Sequence, residues 1–219
     1  MKNGFFRCTL VAMFGLALLA SPTLAQQSDD EAGRLVVGAP GASRVEVEGT
    51  GSLTTLFASN NSFRGNTFDI ENIGALPITI TSWEVNLNNP GSTNQIDIYW
   101  RVGTCNGFQG DPTGWNLLGT DNAVISAGQD IPSAVTVPPF TIQPGELFGF
   151  YVDLASYGAG TSLQYTNGGP TVYANSEVEL TTYYGQGSPP FAAFYTYRQW
   201  NGTVYYDIVP VELQSFSVE

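Results

Sequence analysis

This 219-residue chain contains no His, so its proton chemistry falls to carboxylates. A His-based triad, an imidazole base and His-ligated zinc or haem are all excluded. Glu177 and Glu179 flank Val178, while Asp97 and Asp153 alternate with apolar residues. Two carboxyls about 5–10 Å apart, one with a raised pKa, could hydrolyse a glycosidic bond. Acids at such positions in strands are ordinarily solvated and outward-facing, and that is the expectation here. No catalytic residue is assigned, and no enzymatic activity is expected. Cys105 is expected to be a small buried apolar residue.

The residues with the better claim on a ligand are Tyr99, Tyr151, Tyr183 and Tyr205. Each occupies an outward position in an alternating segment, near loops rich in Asn, Asp and Gly. Aromatic faces stack on sugar rings, and short amides orient hydroxyls. A glycan or other cell-surface material is therefore the expected partner. A different class of function is structural assembly. Alternating segments at 45–48 and 209–218 could pair between copies by strand addition, giving self-association. Calcium is the one ion left open, since Asn60, Asn61, Asn66 and Asp69 cluster near one turn and Asn106 and Asp111 near another. The Asp-x-Asp-x-Asp series of a calcium loop is missing, so no metal or cofactor is assigned.

The elements that must position these residues read as β throughout from Gly49. In Gln95-Ile96-Asp97-Ile98-Tyr99-Trp100-Arg101-Val102, the apolar residues and Trp100 share one face and Asp97, Tyr99 and Arg101 the other. Phe148, Phe150, Val152 and Leu154 repeat with period two, as do Val178, Leu180, Thr182 and Tyr184. Further strands are expected at 52–58, 67–72, 78–87, 115–125, 134–142, 162–166 and 203–208. Ile78 and Ile80 fall out of phase with Trp83, Val85 and Leu87, which calls for a bulge near Thr81-Ser82. Turn residues separate the runs at Asn89-Pro90-Gly91, Asn106-Gly107, Gln143-Pro144-Gly145 and Ser188-Pro189-Pro190. Gly65-Asn66, Gly103-Thr104, Gly119-Thr120, Asn167-Gly168 and Asn201-Gly202 are likewise expected at turns. About ten short strands make an all-β chain: one antiparallel two-sheet β-sandwich of jelly-roll or Greek-key type. Phe68, Trp83, Trp100, Trp115, Phe148, Phe150 and Trp200 are expected to fill the layer between its sheets.

The ends carry different signals. Lys2 and Arg7, an apolar run from Leu10 to Ala20, and Thr23-Leu24-Ala25 have the layout of a secretory signal peptide spanning 1–25. An acidic leader is expected at 26–48, the sandwich at 49–208 and a strand-like tail at 209–219. Removing 1–25 leaves Arg34, Arg44, Arg64, Arg101 and Arg198 as the basic residues against 19 acids. A chain this acidic repels nucleic acid and anionic membrane surfaces, and it is expected outside the cell or on its surface. Lacking Lys, it has neither a P-loop nor a Schiff-base mechanism.

Several phrases recur together: Gly65-Asn66-Thr67-Phe68-Asp69, Trp115-Asn116-Leu117-Leu118-Gly119-Thr120, Pro144-Gly145-Glu146-Leu147-Phe148-Gly149-Phe150-Tyr151-Val152, Tyr165-Thr166-Asn167-Gly168 and Trp200-Asn201-Gly202-Thr203-Val204-Tyr205-Tyr206. In this order they resemble uncharacterised secreted bacterial β-sandwich modules, of the kind found in surface proteins or ahead of sorting tails. The resemblance spans 49–208 and implies a sandwich fold and export. It implies no functional residues. Residues 209–216 resemble a Pro-Val-Glu-Leu-x-Ser-Phe tract that precedes sorting tails. Here the sequence runs to Glu219, so the likeness does not extend to an anchor.

Overall fold

A computed structural model describes residues 49–209. The expected signal peptide, the leader with its 45–48 segment, and the tail from 210 onward lie outside the described residues. Fifteen strands were found: β1 Gly49–Thr54, β2 Asn61–Phe63, β3 Gly65–Asn72, β4 Ile78–Asn86, β5 Thr93–Val102, β6 Asn116–Ile125, β7 Pro132–Val135, β8 Phe140–Ile142, β9 Leu147–Leu154, β10 Leu163–Asn167, β11 Thr171–Ala174, β12 Val178–Gln186, β13 Phe194–Thr196, β14 Arg198–Trp200 and β15 Gly202–Ile208. A seven-stranded sheet runs β11-β12-β3-β9-β5-β6, with β13 added to β12. A five-stranded sheet runs β1-β15-β4-β7, with β8 also on β4. A three-stranded sheet, β14-β10-β2, adjoins them where Leu87 bridges Leu163. All pairings between these strands are antiparallel.

Alternation drives the layering. Ile96 and Ile98 of β5, Phe150, Val152 and Leu154 of β9, and Phe68 and Ile70 of β3 meet Ile78, Ile80, Trp83 and Val85 of β4 in one dry core. Its centre is aromatic. The Phe68 and Trp200 rings stack at 4.3 Å, and Trp83 lies 5.2 Å from Phe150. Stacked and tilted aromatic pairs add about 0.5–1.5 kcal/mol each beyond the area they bury. Trp200 comes from β14, so the three-stranded sheet supplies the sandwich with part of its core. Phe148 and Trp100 pack at the core's margin.

The bulge expected at Thr81-Ser82 is present. Tyr205 pairs with Ser82 but Tyr206 with Ile80, leaving Thr81 as the extra residue. Cys105 is buried, as expected.

Other expectations need correction. The segment 134–142 is two strands, β7 and β8, because Pro138-Pro139 interrupts the ladder. The first strand ends at Thr54 and does not run to 58. Strands β2, β11, β13 and β14 were not expected; at three or four residues each, they are too short to display a period. Trp115 is not in the inter-sheet layer. It lies on the other side of the seven-stranded sheet, against Tyr151 and Phe191.

Gly65-Asn66 and Gly119-Thr120 sit inside β3 and β6, not at turns. The need for glycine at 65 is close approach. A Cβ there would collide with the Val152 carbonyl oxygen of the neighbouring strand and lie 2.6 Å from Tyr151 Cε2. Gly65→Ala is expected to lower stability by about 1–3 kcal/mol, the usual cost of overpacking. Urea denaturation checks this, and an unchanged midpoint would contradict the packing.

Candidate functional site

Outward side chains of the central strands of the seven-stranded sheet do not face water: Thr67, Asp69, Asp97, Tyr151 and Asp153 are buried. Two segments, 103–115 and 187–197, fold back across that face and roof it. The first is tied down by Asp69 of β3. Its Oδ2 accepts from Thr104 Oγ1 at 2.6 Å and its Oδ1 from the Cys105 backbone N–H at 2.7 Å. Gly149 of β9 makes room for this contact, since a Cβ there would lie 2.7 Å from the Cys105 nitrogen. Positive φ at Gly103, Gly107 and Gly114 lets the segment turn. The second segment is held by Phe191, whose ring stands edge-on to Tyr151 at 5.0 Å and to Tyr99 at 5.7 Å. Phe191 adopts φ 60°, an unusual conformation for an aromatic residue that the surrounding rings hold in place. Gln186 Nε2 donates to the Gln109 carbonyl at 3.0 Å, joining the first segment to β12 beside the second.

Beneath this roof lies a buried ion pair. Arg64 donates to Asp153 through Nε at 2.6 Å and Nη2 at 2.8 Å, and the Tyr151 hydroxyl donates to Asp153 Oδ1 at 2.6 Å. Asp153 is 1% exposed. Asp97 is also buried; its Oδ1 accepts from Thr120 Oγ1 at 2.7 Å and Gln95 Nε2 at 3.1 Å. The expectation that Asp97 and Asp153 are solvated is therefore wrong. Alternation correctly placed them on the outward face, but the roof removes the water. Glu179 lies directly across from Glu71, with Glu177 in the turn before β12.

Burial sets the electrostatics. It pushes the Tyr151 hydroxyl well above its ordinary value, with the Asp153 charge acting in the same direction. Burial and the Asp69 charge likewise push the Cys105 thiol far up, so it stays protonated. Burial raises Asp69 itself, despite the opposing hydrogen bonds from Cys105 and Thr104 and the nearby Arg101 charge. The Arg101 guanidinium lies 3.4 Å from the centre of the Phe108 ring, a cation–π contact that closes the roof on this side.

The four expected tyrosines do not form one stripe. Tyr99 and Tyr151 stack at 5.7 Å, with Tyr151 fully buried and Tyr99 half-buried. Tyr183 lies on the same sheet at the bulge between Thr182 and Tyr184, half-buried. Tyr205 is exposed on the outer face of the five-stranded sheet.

The expected calcium ligands do not converge either. Asn60 and Asn61 hydrogen-bond to Asn167 at an exposed end, whereas Asn66 and Asp69 leave β3 on opposite faces. Among the described residues, no group of three His, Cys, Asp or Glu side chains is placed to hold a metal ion.

What does reach solvent is an aromatic edge of which the sequence reading named only Tyr183. Tyr183 stacks on Tyr184 at 6.0 Å and 23°. Tyr197 follows at 6.1 Å and 32° from Tyr184, and Phe194 stands edge-on to Tyr184 at 5.6 Å. Phe194, Tyr195 and Tyr197 are each more than two-fifths exposed. They belong to the end of the second roof segment, where β13 pairs with β12. Asn106 from the first segment accepts the Tyr184 hydroxyl at 2.7 Å and puts an amide at the rim. The sequence signal was the aromatic run Phe191-Ala192-Ala193-Phe194-Tyr195-Thr196-Tyr197, which is dense in rings but lies beyond a Pro-Pro breaker. No protein-family model matches this chain, and a search of curated proteins returns no match.

Two outcomes follow from this geometry. Arg64→Met leaves a buried carboxylate without its cation and is expected to cost about 3–5 kcal/mol, measured by urea unfolding; Arg64→Met with Asp153→Asn recovers part of that loss. The second concerns pH. The raised Asp69 pKa means that the folded state holds this proton more tightly than the unfolded chain. Its contribution to stability is therefore intact below the ordinary value of 3.8 and is lost as pH rises through the raised one. Asp69→Asn is expected to gain on the parent protein as pH climbs from about 4 to 7. Parallel midpoint-versus-pH curves would contradict it.

Proposed function

We propose that this chain is a non-catalytic extracellular binding module, and that the aromatic edge of Tyr183, Tyr184, Phe194 and Tyr197 is a platform for sugar rings. The observation that carries this reading is the aromatic border at which exposed Phe194 and Tyr197 pack on the buried Tyr184 ring beside Tyr183, with 23° between the Tyr183 and Tyr184 rings and 32° between Tyr184 and Tyr197. Contiguous exposed apolar surface ringed by polar groups marks interaction sites. Here the polar rim includes the Asn106 amide. The rings belong to a scaffold pinned by the buried Asp69 and Asp153 contacts, so little order need be paid for on binding.

Non-catalytic action is favoured because Asp69, Asp97 and Asp153 already accept structural hydrogen bonds beneath the roof. The Glu71–Glu179 pair is the arrangement an acid–base reading would need to use. Polysaccharide hydrolysis that disappears on Glu179→Gln would replace the binding reading with a hydrolytic one.

One observation favours self-association as a second reading. β1 is an edge strand of the five-stranded sheet, paired on one side with β15 and touched on the other by Asn175 Nδ2 on the Ser52 carbonyl at 3.1 Å. Edges of this kind accept added strands. Light scattering separates the readings, because strand addition requires a mass that grows with concentration.

Binding on a glycan array, followed by titration of the best ligand, tests the platform. Tyr197→Ala and Phe194→Ala are each expected to weaken binding at least tenfold, with unchanged melting. Silence across the array, or full affinity in both variants, would overturn the proposal.

A further inference from the structure

A recess lies on the opposite side of the sandwich from the aromatic edge. It crosses β1, β15 and β4 on the outer face of the five-stranded sheet as a shallow, open trough of about 500 Å³, and is lined by Thr50, Ser52, Thr81, Ser82, Tyr205 and Asp207 among others. This volume falls within the roughly 300–1,000 Å³ of small-ligand sites. The local sequence explains its shape. Tyr205 is flanked by Ser52 on one neighbouring strand and Ser82 on the other. Two small side chains leave the large ring standing between troughs. The bulge at Thr81 inserts an extra residue beside it, so Thr81 adds a hydroxyl-bearing side chain where a regular ladder would have none. The Thr81 hydroxyl also donates to the Tyr205 carbonyl at 3.4 Å.

Tyr205 is 37% exposed, and burial together with the Glu84 carboxylate pushes its hydroxyl pKa up. The ring stands between Ser52 and Ser82 with its surface open to solvent. The lining combines one aromatic surface, four Ser/Thr hydroxyls that can donate or accept, and the Asp207 carboxylate. Asp207 and the nearby Glu84 disfavour an anionic ligand. A hydroxyl-rich trough with an aromatic ridge suits a neutral saccharide segment, whose rings stack and whose hydroxyls exchange hydrogen bonds.

We propose that this recess is a second saccharide site, selective for neutral over acidic sugars, and that the module holds two glycan segments on opposite faces. The choice of ligand class rests on the saccharide reading of the aromatic edge. The recess itself does not, because it shares no residue with that edge. A bivalent module would bridge polysaccharide chains, and its apparent affinity for a dense matrix would exceed that of either site.

Isothermal titration of residues 26–219 with cellohexaose, xylohexaose and mannohexaose, and with hexagalacturonate as the acidic control, tests this. The expected result is two sites per chain for at least one neutral hexasaccharide and no occupancy of the recess by hexagalacturonate. Tyr205→Ala is expected to leave one site. Ser52→Leu, which fills a trough without removing the ring, should do the same. Tyr197→Ala is expected to spare the recess. One site in the parent protein, lost with Tyr197→Ala and untouched by Tyr205→Ala and Ser52→Leu, would overturn the second site while leaving the aromatic edge standing. One site sensitive to Tyr205→Ala alone would keep the recess and overturn the edge. Absence of binding to all four hexasaccharides would overturn both.

Discussion

A carboxylate buried to 1% exposure inside a β-sandwich is sustained only if its charge is met, and the pairing of Asp153 with Arg64 and Tyr151 meets it. That pairing sits on the outward face of the central strand β9, where Tyr151 also meets Trp115 of one roof segment and Phe191 of the other. It sets the register of what lies above. Tyr151 is oriented by its hydrogen bond to Asp153, and its ring then receives Phe191, Trp115 and Tyr99. Asp69 does the same job one row away, with Thr104 and Cys105 as its donors. The centre of the seven-stranded sheet is consequently covered on both faces, by the aromatic core within and by ordered loops without, while Leu117 of β6 and Val172 of β11 stay exposed at its flanks.

This double burial determines where a ligand can go. The centre of the broad sheet face is closed, and its buried Asp69 and Asp153 carboxylates are engaged in hydrogen bonds beneath the roof. Chemistry open to solvent is displaced to the border of the roof, where β13 carries Phe194 and Tyr195 and Tyr197 follows it, and to the uncovered outer face of the five-stranded sheet, where Tyr205 stands. In the proposed binding role, the buried charges act as foundations and the exposed rings as contacts.

The fold was largely legible in the residues. Period-two alternation located β5, β9 and β12, and the phase break between Ile80 and Trp83 located a bulge in β4. These signals are local, and so readable. Alternation says which side of a sheet a residue faces; it does not say what covers that side. Asp97, Asp153 and Tyr151 were therefore placed on the correct face and given the wrong environment. The cover comes from loops whose path depends on contacts such as Asp69 with Cys105, 36 residues apart in the chain. Gly65 and Gly119 misled for a related reason: a glycine required by the close approach of a neighbouring segment looks the same in sequence as one required by a turn. The Phe194 and Tyr197 side of the aromatic edge escaped because a three-residue strand such as β13 has no measurable period, although Tyr183 of β12 was named.

The most direct test of this account is to label the Tyr and Phe rings with carbon-13 and follow them by NMR as a binding glycan is added. The account predicts that resonances of Tyr183, Tyr184, Phe194 and Tyr197 shift with a common saturation curve, while Tyr151 and Phe68 stay still. Shifts centred on Tyr151, or none in the four edge rings, would contradict it.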